Sequence, residues 1–105
     1  MIEVNDNDFE ESIIESEDFS LVIFTGNSCS GCHSLLKDMK KFEGIYDAVF
    51  ATYNLNDNDR MAREYNIMSL PTMIVFKCGV PAGQMTGYRG EDEVKEFLNG
   101  CFSKI

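Results

Sequence analysis

The sequence predicts an α/β protein in which strands alternate with helices around a mixed sheet and the chain closes with a hairpin and a last helix. Three observations lead there. The chain has 105 residues, the length of one domain. Three short runs rich in β-branched and aromatic residues lie between stretches whose apolar residues recur every three or four positions. The last of these runs is followed by glycine and proline, the punctuation of a hairpin.

Taken in order, Asp6 or Asn7 is placed to cap a short helix through about Ser16, with Phe9 and Ile13 on one face. Residues 19–25 are continuously apolar and β-branched, which predicts a strand buried on both faces, as in a central parallel position. Gly26, Asn27 and Ser28 break it. A helix from Cys29 to about Phe42 carries Leu35, Leu36, Met39 and Phe42 at helical spacing, and Gly44 ends it. Residues 48–54 form a second buried strand, after which Asp57 or Asn58 caps a short helix to about Tyr65, with Met61 and Tyr65 on one side. Beyond Leu70-Pro71, residues 72–77 are a third strand. Residues 77–83 supply turn residues, and Gln84 to Tyr88 is the hairpin partner. The final helix runs from Glu91 to about Ser103, with Val94, Phe97, Leu98, Cys101, Phe102 and Ile105 forming one apolar stripe. No repeat, linker or low-complexity tract divides the chain, so residues 1–105 are expected to form a single domain.

Composition narrows the function. Apolar residues make up 44%, too many for disorder. Eighteen acidic against nine basic residues give a net charge of -9, which argues against nucleic acid as a partner. Eight of those acids fall within the first twenty residues, where there is no Lys or Arg. They read as a solvated helix face, or as an electrostatic label for a basic partner. No apolar run is long enough to span a membrane. The acidic start does not read as a secretory signal and the initiator Met reads as an intact start, so the expected location is cytoplasmic. Cysteines there stay reduced unless they are catalytic or metal-bound, so Cys29, Cys32, Cys78 and Cys101 each need a reason.

Cys29-Ser30-Gly31-Cys32 supplies the chemistry. Cysteines at i and i+3 in a first helical turn lie close enough to form a disulfide with little backbone movement. The helix's positive end stabilises a thiolate at Cys29, so Cys29 is expected to be the exposed attacking sulfur and Cys32 the resolving one. No acid lies between Thr25 and Lys37 to oppose that thiolate. The alternatives are a zinc site drawing on Cys29, Cys32, His33 and Cys78, and an inert pair. Structural zinc draws on a second tight pair, which Cys78 and Cys101 do not make. Cys101 reads as a small core residue and Cys78 as an exposed turn thiol. His33 either helps move a proton or is a solvated surface side chain.

The chain resembles the thioredoxin family over nearly its whole length, from about Asn5 to Ser103. Two motifs carry the resemblance: the strand 21–25 leading into Cys29-x-x-Cys32, and residues 65–72, Tyr-Asn-Ile-Met-Ser-Leu-Pro-Thr, followed by a hydrophobic strand and Phe76-Lys77-x-Gly79. The resemblance implies the thioredoxin fold, a central mixed sheet of four to five strands flanked by about four helices with a hairpin near the C-terminus. It implies a cis Pro71 facing the redox pair, with the preceding backbone pairing with a substrate peptide. It also implies a third loop at Gly87 that completes the groove. The substrate-binding residues expected on that basis are Ser28, Ser69, Leu70, Pro71, Gly87 and Tyr88.

The departures from the family pattern are specific. Ser28 replaces the usual Trp, and Ser30-Gly31 replaces Gly-Pro within the pair. Ile23 stands for a buried Asp that helps the resolving cysteine lose its proton, Thr52 for a nearby Lys, and Lys37 for a mid-helix Pro. The expected activity is thiol–disulfide exchange on protein disulfides, with Cys29 attacking and Cys32 resolving. No cofactor is needed, because the two sulfurs hold the electron pair. The expected partners are disulfide-containing proteins and a flavoprotein reductase, with the chain acting as a monomer away from membranes. The rival reading is a module that holds a partner in the Pro71 groove with its cysteines idle.

Overall fold

In the computed structural model, which describes residues 1–102, a five-stranded mixed sheet runs in the order β1-β3-β2-β4-β5. Its strands are β1 (Ile2–Val4), β2 (Phe19–Thr25), β3 (Ala48–Asn54), β4 (Thr72–Lys77) and β5 (Val80–Thr86). The α-helices are α1 (Ser30–Phe42), α2 (Arg60–Glu64) and α3 (Glu91–Phe102), and a π-helical turn occupies Glu10–Ile14. The strands expected at 19–25, 48–54 and 72–77 appear with those boundaries. β2 sits at the centre, parallel to β3 on one side and antiparallel to β4 on the other.

Alternation along β2 divides the core. Val22 and Phe24 face one layer with Phe9, Ile13, Tyr53, Ile74 and Phe76, under the π-helical turn and α2. Leu21 and Ile23 face the other with Leu35, Met39, Phe50, Met73, Val94 and Leu98, under α1 and α3. Both faces exclude water, which is why this strand reads as continuously apolar.

The structure corrects four sequence expectations. The first helix is a single π-helical turn, not a helix to Ser16, and neither Asp6 nor Asn7 caps it. Asn5 Oδ1 instead accepts the Asn7 and Asp8 N–H groups at 2.8 and 3.0 Å. The Asp6 carboxylate serves α2, accepting the N–H groups of Asp59, Arg60 and Met61 at 3.2 Å each, so neither Asp57 nor Asn58 caps that helix. It also accepts the hydroxyl of buried Tyr53 at 2.5 Å. β1 was not foreseen: it is three residues long with only Val4 buried, too short to show a period. Finally, the hairpin turn is Cys78-Gly79 alone, with φ of 51° and 79°, the geometry of a primed two-residue turn. A side chain at Gly79 would collide with the Ile14 carbonyl. Residues 80–83 belong to β5. Pro81 is tolerated there because β5 is an edge strand and its register slips next to Phe76.

Cys101 is 8% exposed and packs with the α3 stripe, as expected. Ser103 and Ile105, assigned to that helix and stripe from the sequence, lie outside the described residues.

Candidate active site

β2 delivers the chain to the redox pair. After Thr25 the backbone turns through residues 26–28, and Cys29 becomes the N-cap of α1 in an extended conformation. Its Sγ accepts the Cys32 N–H at 3.1 Å. The two cysteines are joined as a disulfide with Cα atoms 5.2 Å apart. Cys29 is half-buried, whereas Cys32 is 2% exposed. Only one sulfur can therefore be approached from outside, and it sits where first-turn N–H groups stabilise negative charge.

Two further loops meet this turn. The Leu70–Pro71 peptide is cis, and Pro71 is buried. A methyl group built on Gly31 would lie 3.2 Å from Pro71 Cδ and 3.8 Å from Tyr88 Cβ, so the redox turn, the proline loop and the third loop are packed edge to edge. The Gly87 N–H donates to the Pro71 carbonyl at 2.7 Å, binding the third loop to the second. The Thr72 hydroxyl donates to the Ser69 carbonyl at 2.7 Å, fixing the approach to the proline. Of the residues named from the sequence, Ser28 and Leu70 line a cleft of about 470 Å³ with Cys29. Pro71 and Tyr88 approach Gly31 at the edge of that cleft, Gly87 is tied to Pro71 by its N–H, and Ser69 is exposed.

Sequence reading missed the cleft's asparagines. Asn56 Oδ1 accepts the Asn27 N–H at 2.7 Å, and Asn54 Nδ2 donates to Asn27 Oδ1 at 2.9 Å. These bonds moor the loop before Cys29 to the end of β3. The three asparagines at two strand ends were the available signal. Among the described residues, no charged side chain lines the cleft.

It also missed Asp38. This carboxylate is 7% exposed on α1 and accepts the Tyr88 hydroxyl at 2.5 Å. That hydrogen bond, with lesser contributions from burial and from the charges of Asp38 and Glu91, raises the Tyr88 phenol above its ordinary value.

His33 is exposed and lines a separate cleft with Lys37, Lys40 and Thr52. Ile23 is fully buried and registers beside Thr52 on β3, both uncharged. Cys78 is exposed at the hairpin tip, its thiol donating to the Glu17 carbonyl at 3.3 Å, and it does not join the pair. Among the described residues, no three His, Cys, Asp or Glu side chains converge to hold a metal.

Comparison with known proteins agrees with this geometry. Residues 1–100 match the family described as Thioredoxin. The thioredoxin of Staphylococcus epidermidis is 30% identical over 94% of this chain and 95% of its own. That of Buchnera aphidicola is 30% identical over 94% of each. Thioredoxin 2 of Chlorobaculum tepidum is 33% identical over 81% of this chain and 80% of its own.

Proposed function

The chain belongs to the thioredoxin family and is a thiol–disulfide oxidoreductase, and from that premise we propose the part each residue plays. In the reduced protein the Cys29 thiolate attacks one sulfur of a substrate disulfide, and the other substrate sulfur leaves as a thiolate. Cys32, deprotonated, then attacks Cys29 Sγ. The Cys29–Cys32 disulfide closes and the second substrate sulfur departs, so two electrons pass to the substrate. The observation that carries this reading is the asymmetry of the pair: an approachable Cys29 at the N-cap and a Cys32 only 2% exposed behind it.

Ser28, Ser69, Leu70, Pro71, Gly87 and Tyr88 form the surface that receives the substrate. Support comes from the close approach of Pro71 and Tyr88 to the Gly31 backbone, where an added Cβ would touch both, and from the Gly87–Pro71 bond. A substrate backbone lying along residues 69–70 brings its disulfide to Cys29.

Family membership carries with it protein disulfides as substrates and a reductase as electron source. We assign the reductase to the flavoproteins, the working form to the monomer, and the location to the cytoplasm. No helix among the described residues is long and apolar enough to cross a membrane, and the exposed Cys78 thiol suits a reducing compartment.

Turnover of insulin disulfides with dithiothreitol as donor tests the proposal. The wild-type protein accelerates the reduction and Cys29→Ser abolishes the acceleration. Equal rates for the two would assign the groove to partner binding alone.

A further inference from the structure

The Tyr88–Asp38 pair has no part in the exchange chemistry, yet it joins the third loop to the helix that carries the redox pair. Asp38 lies six residues beyond Cys32 on α1 and is 7% exposed. Burial of a carboxylate is unfavourable unless it is hydrogen-bonded, and the Tyr88 hydroxyl is the partner the structure shows at 2.5 Å. Three residues farther along each segment, Lys41 Nζ meets Glu91 Oε1 at 3.1 Å. The loop between β5 and α3 is therefore fastened to α1 at both ends. Its inner surface, Tyr88 Cβ, lies across from Gly31, and the neighbouring Gly87 N–H is held by the Pro71 carbonyl.

We propose that Asp38 is a positioning residue for protein substrates: through the Tyr88 hydroxyl it sets the separation between the third loop and the Gly31–Pro71 edge, and so the width of the groove that takes an extended peptide. The inference rests on the reading of that surface as the substrate groove. Asp38 touches neither substrate nor sulfur. A small disulfide needs only an approachable Cys29 and not the groove wall, so the two substrate classes respond differently. Lys41–Glu91 is exposed and contributes little by itself. The part-buried Tyr88–Asp38 bond carries the constraint.

The test compares wild type, Asp38→Ala, Asp38→Asn and Tyr88→Phe on insulin and on dithiobis(nitrobenzoate). Losing the Tyr88–Asp38 bond, whose effect reaches the groove only in part, is expected to raise the Asp38→Ala KM for insulin about fivefold, within the range of one ordinary hydrogen bond. Its kcat, and its rate with the small disulfide, are expected to stay within about twofold of wild type, below what loss of that bond would produce. Asp38→Asn keeps an acceptor oxygen and restores most of the affinity. Tyr88→Phe raises the insulin KM as much as Asp38→Ala, and the two changes are not additive in one chain. If Asp38→Ala does not fold, a raised insulin KM in Tyr88→Phe beside a near-wild-type KM in Asp38→Asn decides the matter. An unmoved insulin KM in a folded Asp38→Ala or in Tyr88→Phe overturns the positioning role, as does an equal loss on both substrates. A wild-type protein that reduces dithiobis(nitrobenzoate) but no protein disulfide overturns the groove reading, and this inference with it.

Discussion

Replacing Ile23 with aspartate places a carboxylate where the family pattern has one, on the sheet face covered by α1. In the present chain this position is fully buried with Leu35, Met39 and Met73 around it, and its neighbour in register is Thr52. His33 lies in a separate cleft, so Cys32 is expected to give its proton to water or to the departing thiolate. Each route is less organised than a fixed base, so release of the mixed disulfide is expected to limit turnover near neutral pH. A positioned base contributes about 10²–10⁴-fold in evolved enzymes. An unrefined one is expected to reach about tenfold, equivalent to roughly 1.4 kcal/mol of barrier. The structural penalty is larger. Losing the buried isoleucine costs about 2–4 kcal/mol, and burying an unpartnered carboxyl adds about 1–3 kcal/mol, out of roughly 5–15 available. Ile23→Asn carries nearly the same penalty without a titratable group, and Thr52→Lys in the same chain as Ile23→Asp supplies a counter-charge one strand away. Stopped-flow reaction of the reduced protein with dithiobis(nitrobenzoate) separates the steps, the first nitrothiolate reporting attack by Cys29 and the second resolution by Cys32. Ile23→Asp should quicken the second phase about tenfold, within the range of a positioned base, and leave the first unchanged. Desolvation raises the introduced carboxyl's pKa, so the gain grows as pH rises through that value. Equal second phases in the Asp and Asn variants would refute the reasoning and show that another group already takes the proton.

Two other outcomes follow from the geometry. Alkylation of the reduced protein at neutral pH labels Cys29 before Cys32, because Cys29 is half-buried at the helix start and Cys32 is 2% exposed; mass mapping after brief exposure to iodoacetamide checks it, and equal labelling contradicts it. Asp6→Ala removes the α2 cap and leaves the Tyr53 hydroxyl without that acceptor, a loss of about 2–3 kcal/mol and roughly 10 °C in Tm by thermal unfolding. Burial alone would raise the Asp6 carboxyl, but the bonds from Tyr53, Arg60, Met61 and Asp59 outweigh it and hold it below the usual value. Its stabilisation is therefore complete above about pH 4 and fades as pH falls through the lowered native value. Burial and the Asp6 bond push Tyr53 up to about 12. That contribution is present below the ordinary tyrosine value of about 10 and is lost as pH climbs through the native one, which ultraviolet titration of the wild type and Asp6→Ala measures.

What the sequence alone determined is what local chemistry dictates. β2, β3 and β4 are legible because burial on both faces demands unbroken β-branched and aromatic runs, and glycine, asparagine or proline marks their ends. The redox pair is legible because its spacing and its place between a strand and a helix are both within a dozen residues. The cis Leu70–Pro71 peptide and the third loop came through family resemblance, not from composition or period. Tertiary structure decided the rest. Asp6 looks like a local cap but reaches residues 59–61, since a carboxylate can serve whichever helix start the fold brings to it. Pro81 looks like a turn and is a strand residue, because an edge position does not need its missing N–H. Asp38 reads as one more polar position on an amphipathic helix until Tyr88, fifty residues on, arrives with its hydroxyl. Asn27 and Asn56 read as loop residues until the parallel register of β2 and β3 sets their strand ends side by side. Hydrogen bonds between residues so far apart leave no periodic trace in the chain; only the packed sheet, by fixing which ends meet, determines which polar groups find each other.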